Sequence, residues 1–175
     1  MFCIKCGSNT EKAHIDDDPI KRDRCKICNY IHYKNPKIIV GSLPIIHDQV
    51  LLCKRDIEPS KGKWTLPSGY MELGESLEEG AKRESLEEAN LKYEIVKLYG
   101  TYSIPRIGQV LFIYLGKILN DDYKAAAETS EVKLFKINDI PWEEIAFPSV
   151  EFFLRSYIED YNDNNNYKFH SNFID

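Results

Sequence analysis

The sequence has no apolar run long enough to span a membrane and no excess of basic residues. Its net charge is −5 over 175 residues, so it lacks the broad positive surface that tight nucleic-acid binding requires. No secretory leader is visible, because Cys3 and Cys6 already occupy the amino terminus. These absences favour a cytoplasmic protein with no membrane partner, and a small-molecule ligand rather than a nucleic acid.

Cysteine is scarce, yet four of the five cysteines form two pairs with the same spacing, Cys3-Ile-Lys-Cys6 and Cys25-Lys-Ile-Cys28. This spacing is typical of a ribbon in which each pair gives two thiolates to one tetrahedral Zn²⁺. Two disulfides are the alternative, which a cytoplasmic location disfavours, and a redox-active CxxC is another. We therefore expect residues 1–35 to be a zinc ribbon that the metal stabilises. Cys53 lies in a predicted buried strand and is interpreted as a small hydrophobe.

The other concentrated feature is acidic, the stretch GYMELGESLEEGAKRESLEEANL at residues 69–91. Ser76 and Glu79 form a capping-box pattern, in which each side chain accepts a hydrogen bond from a backbone amide at the helix start. Asn90 tolerates a left-handed backbone and would end the helix. The sequence therefore predicts a helix over residues 77–89.

Three glutamates of this helix, Glu84, Glu87 and Glu88, lie at positions i, i+3 and i+4 and share one face. That face also carries small and apolar residues, whereas a solvated acidic face would lie opposite them. A divalent cation would offset the repulsion between the carboxylates, whose oxygens suit Mg²⁺ or Mn²⁺. An ordinary charged surface helix is the alternative.

The same stretch resembles the signature of the Nudix hydrolases, which split a nucleoside diphosphate linked to another moiety. The matching positions are Gly69, Glu75, Arg83-Glu84, Glu87-Glu88 and Leu91. Two positions depart from the pattern: Asn90 stands where the family has glycine, and Ser85 where it has an apolar residue. The resemblance implies an α+β fold, the Nudix α/β/α sandwich, with an N-terminal four-cysteine zinc ribbon.

The resemblance also implies roles for the acidic side chains. Glu87 and Glu88 would coordinate Mg²⁺ or Mn²⁺ together with a backbone carbonyl near Gly69, and Glu84 would be either a further ligand or the general base. Arg83 would fix the carboxylates of its helix neighbours, Glu79 and Glu87, rather than touch the substrate.

A further acid is commonly recruited from a later loop in this family. The segment Ala127-Glu128-Thr129-Ser130-Glu131 precedes a predicted strand in a suitable place. Glu128 is the first choice over Glu131. Without the resemblance, either residue would be interpreted as a solvated loop residue.

The likeness extends over nearly the whole chain, and the segments IHYKNPKIIVG and SIPRIGQVLFIYLGKI resemble the group that includes plant FAD pyrophosphatases. This implies hydrolysis of FAD to FMN and AMP, with ADP-ribose as a second substrate. NADH pyrophosphatase is an alternative, although such enzymes carry an SQPWPFP-like array where this chain has LYGTYSIPRIGQ. In an alternative of another class, the ribbon binds nucleic acid or a protein and the Nudix fold is only a scaffold.

The chain is predicted to divide into a ribbon over residues 1–35, a hydrolase domain over 36–161 and a tail over 162–175. A second helix is expected from Val150 to Tyr161, where apolar residues recur at helical spacing. Homodimers are usual among the implied relatives. Candidates for stacking on a substrate base are Tyr99, Tyr102, Phe112 and Tyr114, although aromatic residues at alternating strand positions are more often core.

Overall fold

The computed structural model describes all residues from Met1 to Asp175, which form two compact units, Met1–Asn35 and Pro36–Asp175. The first unit contains one antiparallel sheet of three strands in the order β1-β2-β3. These strands are β1 (Thr10–Ala13), β2 (Arg22–Cys25) and β3 (Ile31–His32). Its only buried hydrophobic residues are Cys3 and Cys25, so this unit has no apolar core of its own.

The second unit is built on one mixed sheet of eight strands. Its main path runs β10-β5-β4-β9-β8-β11, with β6 paired to β5 and β7 paired to β4. The pairs β4–β9 and β8–β11 are parallel and the others are antiparallel. The strands are β4 (Lys37–Ile46), β5 (Gln49–Arg55), β6 (Trp64–Thr65), β7 (Ser68–Tyr70), β8 (Tyr93–Ile104), β9 (Gln109–Ile118), β10 (Thr129–Lys136) and β11 (His170–Phe173).

Two helices cover the two faces of this sheet, α1 (Leu77–Ala89) and α2 (Pro148–Asn162). Val40 of β4 packs with Ala81 of α1 on one face. Leu43 of the same strand belongs to the larger cluster on the other face, which includes Phe153 of α2. Because strand residues alternate between faces, the sheet is apolar on both sides. The expected α/β/α sandwich is confirmed, and neither helix is long and apolar enough to cross a membrane.

Helix α1 has the predicted bounds because its capping signals are local. The Ser76 side chain accepts a hydrogen bond from the Glu79 amide at 3.2 Å, and the Glu79 carboxylate accepts one from the Ser76 amide at 2.8 Å. At the other end, Asn90 is left-handed, with φ 50° and ψ 30°. Both the predicted capping box and the predicted helix stop are confirmed.

The residues after α2 return to the sheet. Strand β11 pairs in parallel with β8, at the edge of the sheet. The buried carboxylate of Asp160 fixes the segment between α2 and β11. It accepts hydrogen bonds from Tyr99 Oη at 2.8 Å and from the Lys168 amide at 3.0 Å. His170 Nε2 lies 2.8 Å from the same oxygen. Residues 162–175, expected to form a tail, therefore include a strand of the sheet.

Candidate active site

The four paired cysteines converge on one point. Their sulfur atoms all lie within 4.8 Å of one another, with 3.7 Å between Cys3 and Cys28 and 3.4 Å between Cys6 and Cys25. Four sulfurs placed about 2.3 Å from a tetrahedral Zn²⁺ are separated by roughly 3.8 Å. All five cysteines of the chain are free thiols, so the structure does not contain the two disulfides of the alternative interpretation.

Backbone amides around the sulfurs favour the thiolate form that zinc requires. The amides of Ile27 and Cys28 both point at the Cys25 sulfur at 3.4 Å, and the Cys28 amide is the main reason that the pKa of Cys25 is lowered. The Lys5 amide makes the same contact with Cys3 at 3.4 Å. The donor set and its surroundings therefore fit one structural Zn²⁺.

Arg83 is the centre of the acidic cluster in the second unit. Its guanidinium donates to both carboxylate oxygens of Glu75 at 2.8 and 3.0 Å, to Glu84 at 2.6 Å and to Glu87 at 3.1 Å. It also donates to the backbone carbonyl of Tyr70 at 3.0 Å. The prediction that Arg83 contacts Glu87 is confirmed, and the prediction for Glu79 is wrong, because that carboxylate is engaged in the helix cap.

Glu75 takes the place that the sequence interpretation gave to Glu79. The bidentate contact with Arg83, assisted by the Glu72 amide at 2.7 Å, lowers the pKa of Glu75 to about 2. The same contact raises the pKa of Arg83. This side chain was recognised as part of the Nudix pattern, but its contact with Arg83 was missed because Glu75 lies before the helix.

Gly69 brings the backbone of β7 directly against a carboxylate of the helix. A side-chain carbon at position 69 would overlap the carboxylate of Glu84, so this position requires glycine. Burial raises the pKa of Glu84, while the contact with Arg83 opposes that effect. A half-buried carboxylate and a backbone strand thus meet at one edge of the site.

Glu88 is the most strongly perturbed acid of the cluster. Burial raises its pKa from 4.5 to about 8, and Glu84 and Glu128 add to the rise. The Ser68 amide, which donates to its carboxylate at 3.2 Å, and the charge of Arg55 act in the opposite direction. The charged form of Glu88 is therefore costly without a cation nearby.

Of the two loop acids, only Glu128 lies beside the cluster without an ion pair. It is exposed, and its charge contributes to the raised pKa of Glu88. Glu131 instead pairs with Lys54 at 3.6 Å, its neighbour across β10 and β5. The geometry thus supports Glu128 over Glu131 as the additional acid of the site.

The carboxylates of α1 are not gathered into one tight group. The four cysteines are the only set of three or more His, Cys, Asp or Glu ligand atoms within 4.8 Å of one another. Arg83 Nη1 bridges Glu84 and Glu87, because it donates to one carboxylate oxygen of each. The donors still suit a hard divalent cation, because all are oxygens and two of them are acids whose burial penalises an uncompensated charge.

The family assignment follows from comparison with known proteins. Residues 36–156 match the NUDIX domain family, and residues 1–34 match the family described as Nudix N-terminal, a zinc ribbon. The chain belongs to the Nudix family. Nudix enzymes act on pyrophosphate bonds with divalent metals, and the chain is a hydrolase of this class.

Individual Nudix relatives support the same assignment. The crystal structure of a NUDIX hydrolase from Nitrosomonas europaea is 44% identical, covers 99% of this chain and 98% of its own, and superposes with a TM-score of 0.94. An ADP-ribose pyrophosphatase from Methanocaldococcus jannaschii is 32% identical over 69% of this chain and 72% of its own length. The NAD-capped RNA hydrolase NudC from Vibrio atlanticus is 27% identical over 80% of this chain, which spans about half (51%) of that relative.

The two departures from the Nudix pattern are both accommodated locally. Asn90 adopts the left-handed conformation that glycine usually supplies. Ser85 is fully buried, and its hydroxyl is paired with the Ala81 carbonyl at 2.9 Å and with the hydroxyl of Ser42 at 2.8 Å. Neither position disturbs the acidic cluster.

The pKa of Glu88 leads to a prediction about stability. A carboxyl whose pKa is raised by folding binds more protons in the folded state, so it lowers the free energy of unfolding as pH rises from about 4.5 to about 8. In zinc-loaded protein without Mg²⁺ or Mn²⁺, we expect Glu88→Gln to exceed the wild type in stability at pH 8 by more than about 1.4 kcal/mol, the equivalent of one pKa unit.

Urea unfolding of both proteins at pH 5 and pH 8 measures this effect. The difference between them should be larger at pH 8, where wild-type Glu88 must be charged. The substitution Glu78→Gln, on an exposed residue of the same helix, is the matched control and should show no such pH dependence. An equal difference at both pH values would contradict the raised pKa.

Proposed function

We propose that this chain hydrolyses the diphosphate of a nucleoside diphosphate linked to another moiety, and that ADP-ribose is the best substrate to test first. The observation that carries the proposal is the cluster of Glu75, Glu84 and Glu87 around Arg83, with Glu88 between the charges of Glu84 and the exposed Glu128. The name of the Methanocaldococcus jannaschii relative supports ADP-ribose as the substrate.

Glu87 and Glu88 would hold the divalent cation, Mg²⁺ or Mn²⁺, with Glu84 and the backbone at Gly69 completing its protein ligands. When bound, the cation supplies positive charge to the phosphate oxygens and lowers the pKa of a water molecule. The site residues must then keep the carboxylates charged and correctly placed, and accept one proton.

Glu128 is our choice for the proton acceptor. It makes no ion pair, lies close enough to Glu88 to raise its pKa, and is exposed to incoming water. Glu84 is the competing choice, but its carboxylate is bound to Arg83 at 2.6 Å and only 12% of its side chain is exposed, so it is less accessible to incoming water. Glu131 is the least suitable because Lys54 neutralises it.

Arg83 acts as a positioning residue in this proposal. It fixes Glu84 and Glu87 from its own helix and ties Glu75 and the Tyr70 carbonyl to them. These five hydrogen bonds use all five N–H donors of the guanidinium, so none is left for substrate phosphates while the contacts are kept. Its charge therefore organises the acids rather than binding the substrate.

The identity of the moiety beyond the nucleoside diphosphate is a finer proposal. The names of the relatives described above refer to ADP-ribose and to NAD-capped RNA, and none of them refers to FAD. FAD therefore stays a prediction based on the sequence segments alone. An NAD-related substrate is the second candidate, because NudC covers 80% of this chain.

Substrate choice is tested by measuring kcat/KM for ADP-ribose, NADH, FAD and an NAD-capped RNA oligonucleotide at one pH and one Mg²⁺ concentration. We expect ADP-ribose to be hydrolysed to AMP and ribose 5-phosphate at least about tenfold better than FAD, a difference of about 1.4 kcal/mol in transition-state binding. A tenfold preference for NADH or the capped RNA would select the second candidate. No hydrolysis of any of the four with Mg²⁺ or Mn²⁺ would refute the proposed activity.

A further inference from the structure

Ser85 is buried on the face of α1 that packs against the sheet, and it is the only buried residue of this helix with a polar side chain. Its hydroxyl oxygen lies 2.8 Å from that of Ser42 on β4, and both residues are fully buried. No other hydrogen bond joins α1 to β4, where the remaining contacts are apolar, such as that of Val40 with Ala81. A hydrogen bond is directional and apolar packing is not, so the two serines limit how far the helix can slide along the strand.

Ser42 is also connected to β7, the strand against which the acids lie. Its backbone amide donates to the Pro67 carbonyl at 3.1 Å, directly before β7. The Ser68 amide, at the start of β7, donates to the carboxylate of Glu88 at 3.2 Å. Because Glu88 lies about one helical turn after Ser85, these contacts form a closed ring that runs from β4 through the helix to β7 and back. The hydroxyl pair therefore helps to determine where Glu88 lies relative to β7.

Glu84, the residue before Ser85, is held against the same strand. A side-chain carbon at Gly69 would overlap its carboxylate, so the helix and β7 are in close contact here. The helix packs just as closely on β4, because a side-chain carbon at Gly80 would overlap the side chain of Val40. A slide of the helix by part of a turn would therefore move two proposed metal ligands away from the β7 backbone.

Stability alone does not explain a hydroxyl pair at this depth. Burying two hydroxyl groups has a cost that their hydrogen bond offsets, and replacing both partners by apolar groups of the same shape is nearly neutral. A fully paired polar group in a core instead specifies one packing arrangement. The Nudix pattern has an apolar residue at position 85, so this hydroxyl is a feature of the present chain rather than a requirement of the fold.

We propose that Ser42 and Ser85 are positioning residues for the cation site, because their hydrogen bond holds Glu84 and Glu88 in register with the β7 backbone. This inference rests on the proposed function, since it concerns the divalent cation of that reaction. Replacing residues that orient metal ligands typically lowers metal affinity about 10–100-fold. Both serines are fully buried and inaccessible to the substrate, so their loss should weaken cation binding rather than substrate binding.

The decisive measurement is titration of zinc-loaded protein with Mn²⁺, without substrate, in Ser42→Ala, Ser85→Ala and the double variant. We expect each single substitution to raise the Kd for Mn²⁺ about tenfold. The double variant should lose no more affinity than either single one, because all three lack the same hydrogen bond. Ser42→Ala is expected to fold, because Ser85 keeps its hydrogen bond to the Ala81 carbonyl at 2.9 Å.

Steady-state kinetics with ADP-ribose provide a second measurement on the same variants. The Mg²⁺ concentration that gives half-maximal rate should rise in parallel with the Kd for Mn²⁺. The KM for ADP-ribose at saturating Mg²⁺ should stay within about twofold of wild type, because the serines do not contact the substrate.

Two substitutions control for the loss of a buried hydroxyl as such. Ser156→Ala truncates a buried serine of α2, on the opposite face of the sheet. Tyr93→Phe removes a buried hydroxyl that lies near Ser42 and Ser85 but makes no hydrogen bond. Both variants should bind Mn²⁺ with the wild-type Kd, whatever their midpoints of urea unfolding.

A wild-type Kd for Mn²⁺ in the double variant would overturn the inference even if the wild-type enzyme hydrolyses ADP-ribose. A loss of affinity that follows the urea midpoint across all variants, including Ser156→Ala, would also overturn it, because the cause would be a general loosening of the fold. If the double variant shows the product of the two single effects, the serines act independently and the inference is wrong. Failure of the proposed function is distinct, since wild-type protein would then bind Mn²⁺ but hydrolyse none of the four candidate substrates.

Discussion

Replacing Glu88 with glutamine is expected to abolish hydrolysis while the protein remains folded. The substitution keeps the shape of the side chain and the hydrogen bond from the Ser68 amide, but removes the charge that a divalent cation would bind. We expect kcat/KM to fall by about three orders of magnitude, the upper end of the loss seen when one electrostatic contact to a transition state is removed. The measurement is initial rates with ADP-ribose over a series of Mg²⁺ concentrations.

The Mg²⁺ series separates loss of the cation from loss of catalysis by the protein. If Glu88 is a metal ligand, the Mg²⁺ concentration that gives half-maximal rate should increase in Glu88→Gln. Glu87→Gln should behave similarly, although Glu87 is more exposed and its carboxylate also contacts Arg83. Glu78→Gln removes the same charge from an exposed position of α1 and should keep wild-type kinetics. Wild-type turnover of Glu87→Gln and Glu88→Gln at limiting Mg²⁺ would exclude both from the metal site.

Glu88→Gln is also expected to separate activity from stability. The same change that removes activity should stabilise the metal-free protein at pH 8, because a buried charge is lost. A variant that is both inactive and less stable at pH 8 would instead indicate that the fold had been damaged. The two measurements on one variant therefore test whether the burial of Glu88 serves cation binding rather than folding.

The features that the sequence predicted well are determined by residues close together in the chain. Ser76, Glu79 and Asn90 define the ends of α1 through contacts within four residues, and these contacts are found in the structure. The clustering of the cysteines was also predictable, because each CxxC turn presents two sulfurs on one side. Local signals of this kind do not depend on how the rest of the chain packs.

The features that the sequence did not predict depend on contacts between distant segments. Glu75 reaches Arg83 from the loop before the helix, and no helical spacing would indicate that contact. Strand β11 joins the sheet through Asp160 of α2, a pairing for which the polar segment before it gives no periodic signal. The alternation of side chains along β8 also does not indicate which of its tyrosines are buried, because both faces of this sheet are covered.

Loss of zinc is expected to unfold the first unit and leave the second folded. In Cys25→Ser, the metal should be lost because one of four thiolates is removed, and structural zinc contributes about 10–16 kcal/mol in comparable small domains. The first unit has little else to stabilise it. Its buried hydrophobic residues are only Cys3 and Cys25, while Ile4 and Ile27 remain 79% and 74% exposed.

Hydrogen exchange and metal analysis together measure this outcome. In wild-type protein we expect one Zn²⁺ per chain and slow amide exchange in β1 and β2. In Cys25→Ser we expect less than about a tenth of that zinc, and exchange of those amides at the rate of an unfolded chain. The strands of the second unit should keep their protection, because their core contains large buried side chains such as Tyr99, Phe153 and Tyr157.

Cys53→Ala removes the remaining thiol, which lies in that core, and should keep one zinc per chain. If Cys25→Ser retains zinc and slow amide exchange, Cys25 is not a ligand. If amide protection is lost in both units, the second unit does not fold independently of the ribbon.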